Sequence, residues 1–203
     1  DLNYIKKIRK SNKMHNSFAK KNGKIRIISG KLKGKKILIT NNVNIRPTTN
    51  RIRETLFNWL SAYIENAHCL DCFAGSGALG IEAISRNAKF VTLLEIEKKT
   101  IFSLKNNITR LNISNSEIIH TNTLDWLKKK KKPYDIIFID PPYNQKLVDQ
   151  TLFLLEQKQW VRKKSLIYIE KENTNSFFIS KNWTLYKKKT TNRIACYLYF
   201  FKI

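Results

Sequence analysis

The sequence predicts an α/β fold with a doubly wound, mostly parallel sheet of seven strands. Short apolar runs alternate with amphipathic helical patterns from residue 66 onward. A glycine-rich turn follows the first run, as it does where such sheets bind nucleotide-type cofactors. The last two runs are separated only by residues 190–193, which is too short for a crossover, so they should pair as an antiparallel hairpin.

The apolar runs and helical periods place each element in order. Strands are expected near residues 67–72, 90–95, 116–121, 134–139, 165–170, 182–189 and 194–202, and helices near 77–87, 98–111, 123–130 and 146–158. With 203 residues and 42% hydrophobic content, the chain can bury a full core in one such domain. The order of the strands within the sheet does not follow from periodicity.

The first 66 residues have a different character. Residues 1–22 are polar, rich in lysine and without periodicity, and we expect a mobile basic tail there. Residues 23–45 are predicted to form a small β-hairpin extension with basic residues on the segment that connects its strands. The main domain, residues 46–203, should begin with a helix that is capped by Thr48 or Thr49 and carries an apolar stripe.

The four residues Asp140-Pro141-Pro142-Tyr143 are the strongest functional signal in the chain. They follow the apolar run 134–139, which is typical of a strand buried on both faces, so they fall at the carboxyl edge of the sheet. An exocyclic base amine needs two acceptors for its hydrogens and a surface on which the base can stack. Asp140 and the Pro141 carbonyl would hold the amine, the two prolines would fix the backbone, and Tyr143 would stack. The alternative is a strand-ending turn without a function.

A glycine-rich segment upstream, residues 67–80, indicates a nucleotide-type cofactor site. Gly75, Gly77 and Gly80 match the dinucleotide pattern G-x-G-x-x-G, which by itself leaves an NAD-linked enzyme open. Asp71 favours S-adenosylmethionine, because a carboxylate at that strand end would face the cationic end of the cofactor. Glu95 ends the next strand, where an acidic residue hydrogen-bonds ribose hydroxyls of either cofactor. A solvated charge is the alternative for Glu95.

The formal net charge of +24 indicates a polyanionic partner, and nucleic acid is the first expectation. Lysine outnumbers arginine 30 to 9 and Asn and Ile are abundant, which is typical of A/T-rich coding sequence, so part of the charge is compositional bias. We interpret the lysine runs 128–132 and 187–189 as solvated surface. The hairpin lysines that would instead suit an RNA phosphate backbone are Lys31, Lys33, Lys35 and Lys36.

Three arginines, Arg46, Arg51 and Arg53, crowd the start of the helix after residue 48. Cations there oppose the helix macrodipole, which suggests that they bind an anion such as an RNA phosphate. An intramolecular pair between Arg51 or Arg53 and a carboxylate such as Glu54 is an alternative of equal weight.

Cysteine usage and hydropathy exclude several classes of protein. The three cysteines suit a reducing compartment, and Cys69 and Cys72 lie three apart on a strand, where they point to opposite faces. The histidines are scattered, so we predict no metal. No apolar stretch approaches the roughly 20 residues of a membrane span, and the chain begins without a recognisable signal peptide. We therefore expect a cytoplasmic protein without membrane contact.

Four segments support a family resemblance. They are Arg-Ile-Ile-Ser-Gly-Lys-Leu-Lys-Gly-Lys-Lys-Ile at 26–37, the Arg-Pro-Thr helix at 46–60, Leu-Asp-Cys-Phe-Ala-Gly-Ser-Gly-Ala-Leu-Gly-Ile-Glu-Ala at 70–83, and Asp-Pro-Pro-Tyr. Together they closely resemble the bacterial 16S ribosomal RNA guanine-N2 methyltransferase family (RsmD type), across about residues 24–202. Asn50 and Cys72 depart from the usual residues, and neither departure puts the activity in doubt.

The resemblance implies a class I, Rossmann-like methyltransferase that uses S-adenosylmethionine to methylate the exocyclic N2 of one guanine in 16S ribosomal RNA. It implies a monomer whose substrate is that RNA, free or within an assembling small ribosomal subunit. The cofactor contacts that it implies are Asp71, Phe73, Ala74, Gly75, Gly77, Glu95, Asn122 and Asp140.

Two other functions stay open at this point. An adenine-N6 or other amino-methyltransferase of DNA or RNA would use the same tetrad, although a DNA enzyme normally needs a recognition domain that 203 residues scarcely accommodate. A non-catalytic RNA-binding protein could keep the fold, although an intact tetrad and glycine turn disfavour it.

Overall fold

The computed structural model describes residues 23–39, 49–129, 132–142, 145–173 and 176–203. The strands within these ranges are β1 (Gly23–Arg26), β2 (Lys36–Ile39), β3 (His68–Asp71), β4 (Phe90–Glu95), β5 (Ser116–His120), β6 (Ile136–Ile139), β7 (Leu166–Glu172), β8 (Trp183–Thr190) and β9 (Ile194–Phe201). The helices are α1 (Asn50–Trp59), α2 (Ala78–Ser85), α3 (Lys98–Arg110), α4 (Thr123–Leu127) and α5 (Gln145–Gln157). No helix in these ranges is long and apolar enough to cross a membrane.

Seven of the strands form one sheet in the order β5-β4-β3-β6-β7-β9-β8. The neighbours from β5 to β7 are parallel, whereas β9 pairs antiparallel with both β7 and β8. The predicted fold class is therefore confirmed, including the terminal hairpin. Strand order reverses between β3 and β6, because the chain runs from β3 through β4 to β5 and then returns to the other side. Such a switch point opens a crevice at the carboxyl ends of the two strands.

Helices cover both faces of the sheet, and the sheet separates two hydrophobic cores. On one face, α1, α2 and α3 bury residues such as Phe57, Ile81 and Leu104 against β3, β4, β6 and β7. On the other face, α4 and α5 pack with Trp160 against the alternate residues of the same strands. β6 is buried at all four positions, as a central strand covered on both faces must be.

The hairpin β1–β2 is docked onto α2 and α3. The side-chain amide of Asn107 in α3 pairs with the backbone of Leu38, accepting its N–H at 2.9 Å and donating to its carbonyl at 2.8 Å. In the connecting segment, Gly30 has φ +84°, and a Cβ there would lie 1.8 Å from the carbonyl oxygen of Ser85. Only glycine fits this approach to the end of α2. The predicted tail, residues 1–22, and residues 40–45 of the predicted extension lie outside the described residues.

The helix α1 begins as the sequence predicted. The side chain of Thr49 accepts the N–H of Ile52 at 3.3 Å, which makes Thr49 the N-cap. Ile52, Leu56 and Phe57 are buried, and the Phe57 ring packs 5.9 Å from that of Phe138 in β6. The helix is thereby placed against β6, one of the two strands of the switch point.

Candidate active site

The glycine-rich turn after β3 is held by backbone hydrogen bonds to its neighbours. The Cys72 N–H donates to the Phe138 carbonyl at 3.1 Å, and the Ala74 N–H donates to the Leu94 carbonyl at 2.9 Å. Gly75 and Gly77 take φ values of +52° and +79°, which lie in the left-handed region that favours glycine. The turn leads directly into α2, whose N-cap Gly77 makes no side-chain hydrogen bond, and a helix N-terminus of this kind suits an anionic or polar ligand.

Packing within the protein requires glycine at positions 77 and 80. A Cβ at Gly77 would lie 2.4 Å from Cδ1 of Leu104, and one at Gly80 would lie 2.5 Å from Cδ2 of Leu93. The sequence pattern alone attributes the glycines to the approach of a ligand. The structure shows that these two glycines also allow α2 to pack closely against α3 and β4.

Asp71, the last residue of β3, is a buried carboxylate that lacks a hydrogen-bond partner on either oxygen among the described residues. Burial raises the pKa of Asp71 to about 7. The amides of Phe73 and Gly80 oppose this rise, although neither meets the geometry of a full hydrogen bond, and Glu95 adds to it. An unsatisfied buried carboxylate beneath the glycine turn fits a cationic ligand.

Glu95, the last residue of β4, is half-buried and accepts three backbone N–H groups. One oxygen accepts from Gly75 at 2.9 Å, and the other accepts from Ile96 and Glu97, each at 2.9 Å. The carboxylate is therefore fixed beside the glycine turn. A carboxylate has about four acceptor sites, so Glu95 keeps capacity for ribose hydroxyls. The ribose contact stays a prediction.

Two residues at the end of β5 join the same edge. Asn122 is the N-cap of α4 and accepts the N–H of Asp125 at 3.2 Å. Its neighbour Thr123, which the sequence reasoning missed, is buried and donates its hydroxyl to the Cys72 carbonyl. This bond ties α4 to the start of the glycine turn. Asn122 is exposed at this edge, and its contact with adenine also stays a prediction.

Asp140 follows β6 directly, on the strand next to the one that ends in Asp71. Asp71 pairs with Phe138, so Asp140 lies two residues beyond that level toward the crevice. Asp140 and Pro141 are half-buried, and Pro142 is exposed. Tyr143, the fourth residue of the tetrad, lies outside the described residues. The structure thus brings Asp140 to the same strand edge as Asp71, the glycine turn and Glu95.

Tyr168 and Glu170 on β7 were not singled out from the sequence. The Tyr168 hydroxyl donates to the Glu170 carboxylate at 3.0 Å, and both residues are buried. Burial, then Glu170, and further the charge of Asp140 raise the pKa of Tyr168, so this hydroxyl keeps its proton. The pair supports the strand next to Asp140. A polar residue at the end of an apolar run was the signal that the sequence offered.

Arg53 requires a correction to the predicted RNA-binding set. Its side chain is fully buried, 3.6 Å from the Glu82 carboxylate, and it donates to the Arg26 carbonyl at 2.8 Å and to Asn50 Oδ1 at 2.7 Å. A side chain enclosed in this way does not reach an RNA phosphate. The alternative interpretation, an intramolecular ion pair, fits Arg53, and its partner is Glu82 rather than Glu54.

Glu82 was missed because its partners are distant in sequence. It lies in the middle of α2, fully buried, and accepts the N–H groups of Ile28 at 2.9 Å and Ser29 at 3.0 Å. Arg86 donates to it at 2.9 Å. The available signal was a single acidic residue within an otherwise apolar helical segment. Glu82 joins the hairpin, α1 and α2.

The other predicted RNA contacts are exposed or undescribed. Arg51 is exposed in the first turn of α1, and Arg46 lies outside the described residues. The segment that joins β1 to β2 contacts Ser85, the last residue of α2, through the Lys31 N–H at 2.7 Å. Since α2 begins at the glycine turn, its last residue lies near the opposite edge of the sheet. The hairpin lysines Lys31, Lys33, Lys35 and Lys36 are all exposed there.

The described part of the chain holds no group of three or more His, Cys, Asp or Glu side chains that could bind a metal ion. Cys69 and Cys72 pack into the cores on opposite faces of the sheet, as their spacing predicted. The absence of a metal stays a prediction for the whole chain.

Comparisons with known proteins agree with this arrangement. A family model described as "Conserved hypothetical protein 95" matches residues 25–200. The chain belongs to this family. "Ribosomal RNA small subunit methyltransferase D" of Buchnera aphidicola from Acyrthosiphon pisum is 68% identical over 187 residues, covering 92% of this chain and 98% of the relative. The protein of the same name from Escherichia coli K12 is 42% identical over 178 residues, covering 87% and 90%.

A solved structure of a putative methyltransferase from Escherichia coli superposes with a TM-score of 0.82 at 40% identity, covering 89% of this chain and 99% of the other. The RsmD-type family resemblance is therefore confirmed, and the protein is a methyltransferase. Its cofactor is S-adenosylmethionine.

The residues of the crevice fit this cofactor. Asp71 offers an unsatisfied buried carboxylate, which suits the positive charge of the cofactor, and the turn at Gly75 and Gly77 leads into α2, whose N-cap Gly77 makes no side-chain hydrogen bond. These features disfavour the NAD alternative, since no buried carboxylate is needed at the strand end for a pyrophosphate. The individual cofactor contacts stay predictions.

Proposed function

We propose that the protein transfers a methyl group from S-adenosylmethionine to the exocyclic N2 of a guanine in 16S ribosomal RNA. One observation carries the proposal. Asp140 and Pro141 follow β6 at the switch point, beside the strand that ends in Asp71 and the glycine turn. The names of the two relatives, which are small-subunit ribosomal RNA methyltransferases, support the RNA substrate.

The chemistry requires the amine to become a better nucleophile. The lone pair of a guanine amine is delocalised into the ring. Asp140 and the Pro141 carbonyl would accept the two amine hydrogens, which favours a pyramidal nitrogen and directs its lone pair toward the methyl group. When bound, S-adenosylmethionine supplies an electrophilic methyl group on a positively charged sulfur.

The reaction also requires an acceptor for the proton released from N2 and a surface that holds the target base. As the nitrogen–carbon bond forms and the sulfur–carbon bond breaks, Asp140 takes the released N2 proton and passes it to water. Tyr143 would stack on the base. The base must leave its own stack to reach the crevice, which favours a guanine in an RNA loop over one in a continuous helix.

The test is to identify the methylated nucleoside. The protein is incubated with methyl-labelled S-adenosylmethionine and one of three substrates: protein-free 16S RNA, small ribosomal subunits from cells that lack the corresponding enzyme, or duplex DNA. Nuclease digestion and mass spectrometry should find N2-methylguanosine in an RNA substrate. N6-methyladenosine, or label in DNA, would replace this proposal by the adenine-N6 alternative. No label in any substrate would favour a non-catalytic RNA-binding protein.

A further inference from the structure

Two lysines lie over one aromatic ring on the α5 face of the sheet. Nζ of Lys171 in β7 is 5.9 Å from the ring centre of Tyr197 and 5.6 Å from that of Phe177. Nζ of Lys188 in β8 is 5.4 Å from the same Tyr197 ring. We call Lys171, Phe177, Lys188 and Tyr197 the Tyr197 platform. The sequence pattern predicts solvated surface for the run 187–189, and Lys188 is exposed, with its Nζ over the Tyr197 ring.

The rings of the platform support one another. Phe177 meets Tyr197 edge-on with centres 5.3 Å apart, and Tyr197 stacks on Tyr199 at 6.1 Å. Tyr199 is buried in the core, whereas Phe177 and Tyr197 are half-exposed. Both rings are therefore held in place by aromatic neighbours while part of each side chain meets solvent. This is the property that a stacking surface for an unpaired base needs.

The platform lies next to the tetrad. Ile139 pairs with Ile169 in the parallel ladder between β6 and β7, so the chain leaves β6 at Pro141 beside the level of Lys171. Tyr197 pairs with Ile169, and Lys188 pairs with Tyr197 on the next strand. The platform thus extends from the proposed base site across neighbouring strands spaced about 4.8 Å apart. The hairpin lysines, by contrast, lie near the opposite edge of the sheet.

The charge of the platform is not neutralised within the described residues. The ion pairs Arg53–Glu82, Arg86–Glu82, Lys128–Asp125 and Arg162–Asp135 lie elsewhere, and none of the four includes Lys171 or Lys188. Within the same ranges, Nζ of Lys171 donates to the Glu172 carbonyl, at 3.4 Å. Burial lowers the pKa of Lys171, and the charge of Lys188 lowers it further. Two cations held close together are stabilised by an anion between them.

We propose that the Tyr197 platform binds the RNA strand that flanks the target base, with Lys171 and Lys188 on a backbone phosphate and the rings of Tyr197 and Phe177 against a neighbouring base. This inference rests on the proposed function, because it takes an RNA strand as the substrate. Lysine contacts to phosphate give affinity without base selection, and aromatic stacking tolerates every base. The platform therefore holds the strand while the tetrad acts on the displaced base.

The test compares Lys171→Gln/Lys188→Gln with a matched control, Lys158→Gln/Lys163→Gln. The control removes the same charge from two exposed lysines between α5 and β7 that have no side-chain bond among the described contacts. RNA affinity is measured by filter binding of a 16S RNA fragment at several KCl concentrations. The platform variant should bind on the order of tenfold more weakly, and its salt slope should fall by about 0.7–0.9 for each phosphate that it no longer neutralises. The control should change either quantity much less.

Two further variants separate RNA binding from a purely structural role of the lysines. Lys171→Arg/Lys188→Arg keeps both charges beside the rings, so RNA affinity and salt slope should match those of the wild type. Tyr197→Leu removes the stacking surface and should weaken RNA binding by roughly fivefold or more. Calorimetric affinity for S-adenosylmethionine should not change in any of these variants. A platform variant whose melting temperature falls while its RNA affinity and salt slope match the control would overturn the inference.

The experiments distinguish failure of the proposed methyl transfer from failure of the Tyr197 platform. If the wild-type protein methylated no RNA but bound it with the slopes above, the platform would stand and the catalytic proposal would fail. If the wild-type protein methylated RNA and the platform variant kept the KM of the control, the platform would fail alone.

Discussion

Glu82 and Asp71 are both buried carboxylates in the same core, and their surroundings are opposite. Glu82 accepts two backbone N–H groups and a hydrogen bond from Arg86, with Arg53 3.6 Å away. Asp71 has no hydrogen-bond partner on either oxygen among the described residues. A buried charge that the fold satisfies is structural, whereas one left unsatisfied is a site for a ligand. This difference separates residues that the sequence presents alike, since each is an acidic residue in an apolar segment.

The largest effect should come from breaking the satisfied carboxylate. Glu82→Gln should lower the free energy of unfolding by about 3–5 kcal/mol, because it leaves the buried Arg53 without a counter-charge. Urea denaturation measures the change. Glu117→Gln, on the exposed part of the edge strand β5, is the control and should stay within about 0.5 kcal/mol of the wild type. If Glu82→Gln changed the free energy of unfolding as little as the control does, Glu82 would not be a structural carboxylate.

The third carboxylate, Asp140, is half-buried at the crevice and should matter far more for turnover than for cofactor affinity or stability. Asp140→Ala should raise the activation free energy of methyl transfer by about 3 kcal/mol, the scale for one preorganised polar group in an active site. Cofactor affinity, measured by calorimetry, and the free energy of unfolding should change little. Near-normal turnover with the variant would reduce Asp140 to a turn residue.

Asp71 should matter for the cofactor and not for stability. Asp71→Asn should weaken S-adenosylmethionine binding by about 1.5–3 kcal/mol, the range for interactions with a charged group. Since the amide removes an unsatisfied charge, the cofactor-free variant should be at least as stable as the wild type at pH 8. Calorimetry and urea denaturation at that pH test both statements. A loss of stability like that of Glu82→Gln would mean that Asp71 is a structural residue.

Segments with local signals could be predicted from the sequence, and residues with distant partners could not. β6 and the terminal hairpin followed from apolar runs and a short connection, and Thr49 followed from the preference for a hydroxyl at a helix N-cap. The sequence leaves Arg53 open between an RNA phosphate and an intramolecular pair, because its partner, Glu82, is brought to it only by the packing of α1 on α2. The Tyr197 platform depends on the pairing of β9 with β7 as well as with β8, and the order of strands within the sheet leaves no local trace in periodicity.

The raised pKa of Asp71 gives the comparison a pH dependence. The unfolded chain releases this proton near pH 3.9 and the folded, cofactor-free protein near pH 7. The folded state binds more protons between these values, so the stability contributed by Asp71 is fully present below about pH 3.9 and is lost as the pH rises toward 7. The difference in unfolding free energy between wild type and Asp71→Asn should follow this course in urea denaturation.

Cofactor binding should depend on pH in the opposite direction. A cationic ligand favours the ionised carboxylate, so affinity should fall as the pH drops below about 7, and binding at pH 6 should release a proton. Calorimetry in two buffers with different ionisation enthalpies detects that proton. Asp71→Asn should show neither the release nor the pH dependence, and identical behaviour of wild type and variant would place the cofactor's charge elsewhere.

The smallest effect is expected from surface lysines, where the comparison is between lysines with and without a carboxylate partner. Lys128 has a carboxylate partner, since it donates to Asp125 at 2.8 Å, whereas the hairpin lysines have no ion pair among the described residues. Replacing Lys31, Lys33, Lys35 and Lys36 by glutamine should weaken RNA binding and lower its salt slope by about 0.7–0.9 for each phosphate that is no longer neutralised. Replacing the lysines of the run 128–132 should do less, although it removes at least as much charge. Because the hairpin lies near the edge of the sheet opposite the tetrad, turnover at saturating RNA should stay unchanged in both variants.

Equal losses of RNA affinity and of salt slope in the two variants would show that the hairpin contributes only bulk charge. A charged side chain without an ion pair would then mark a ligand site in the core but not on this surface.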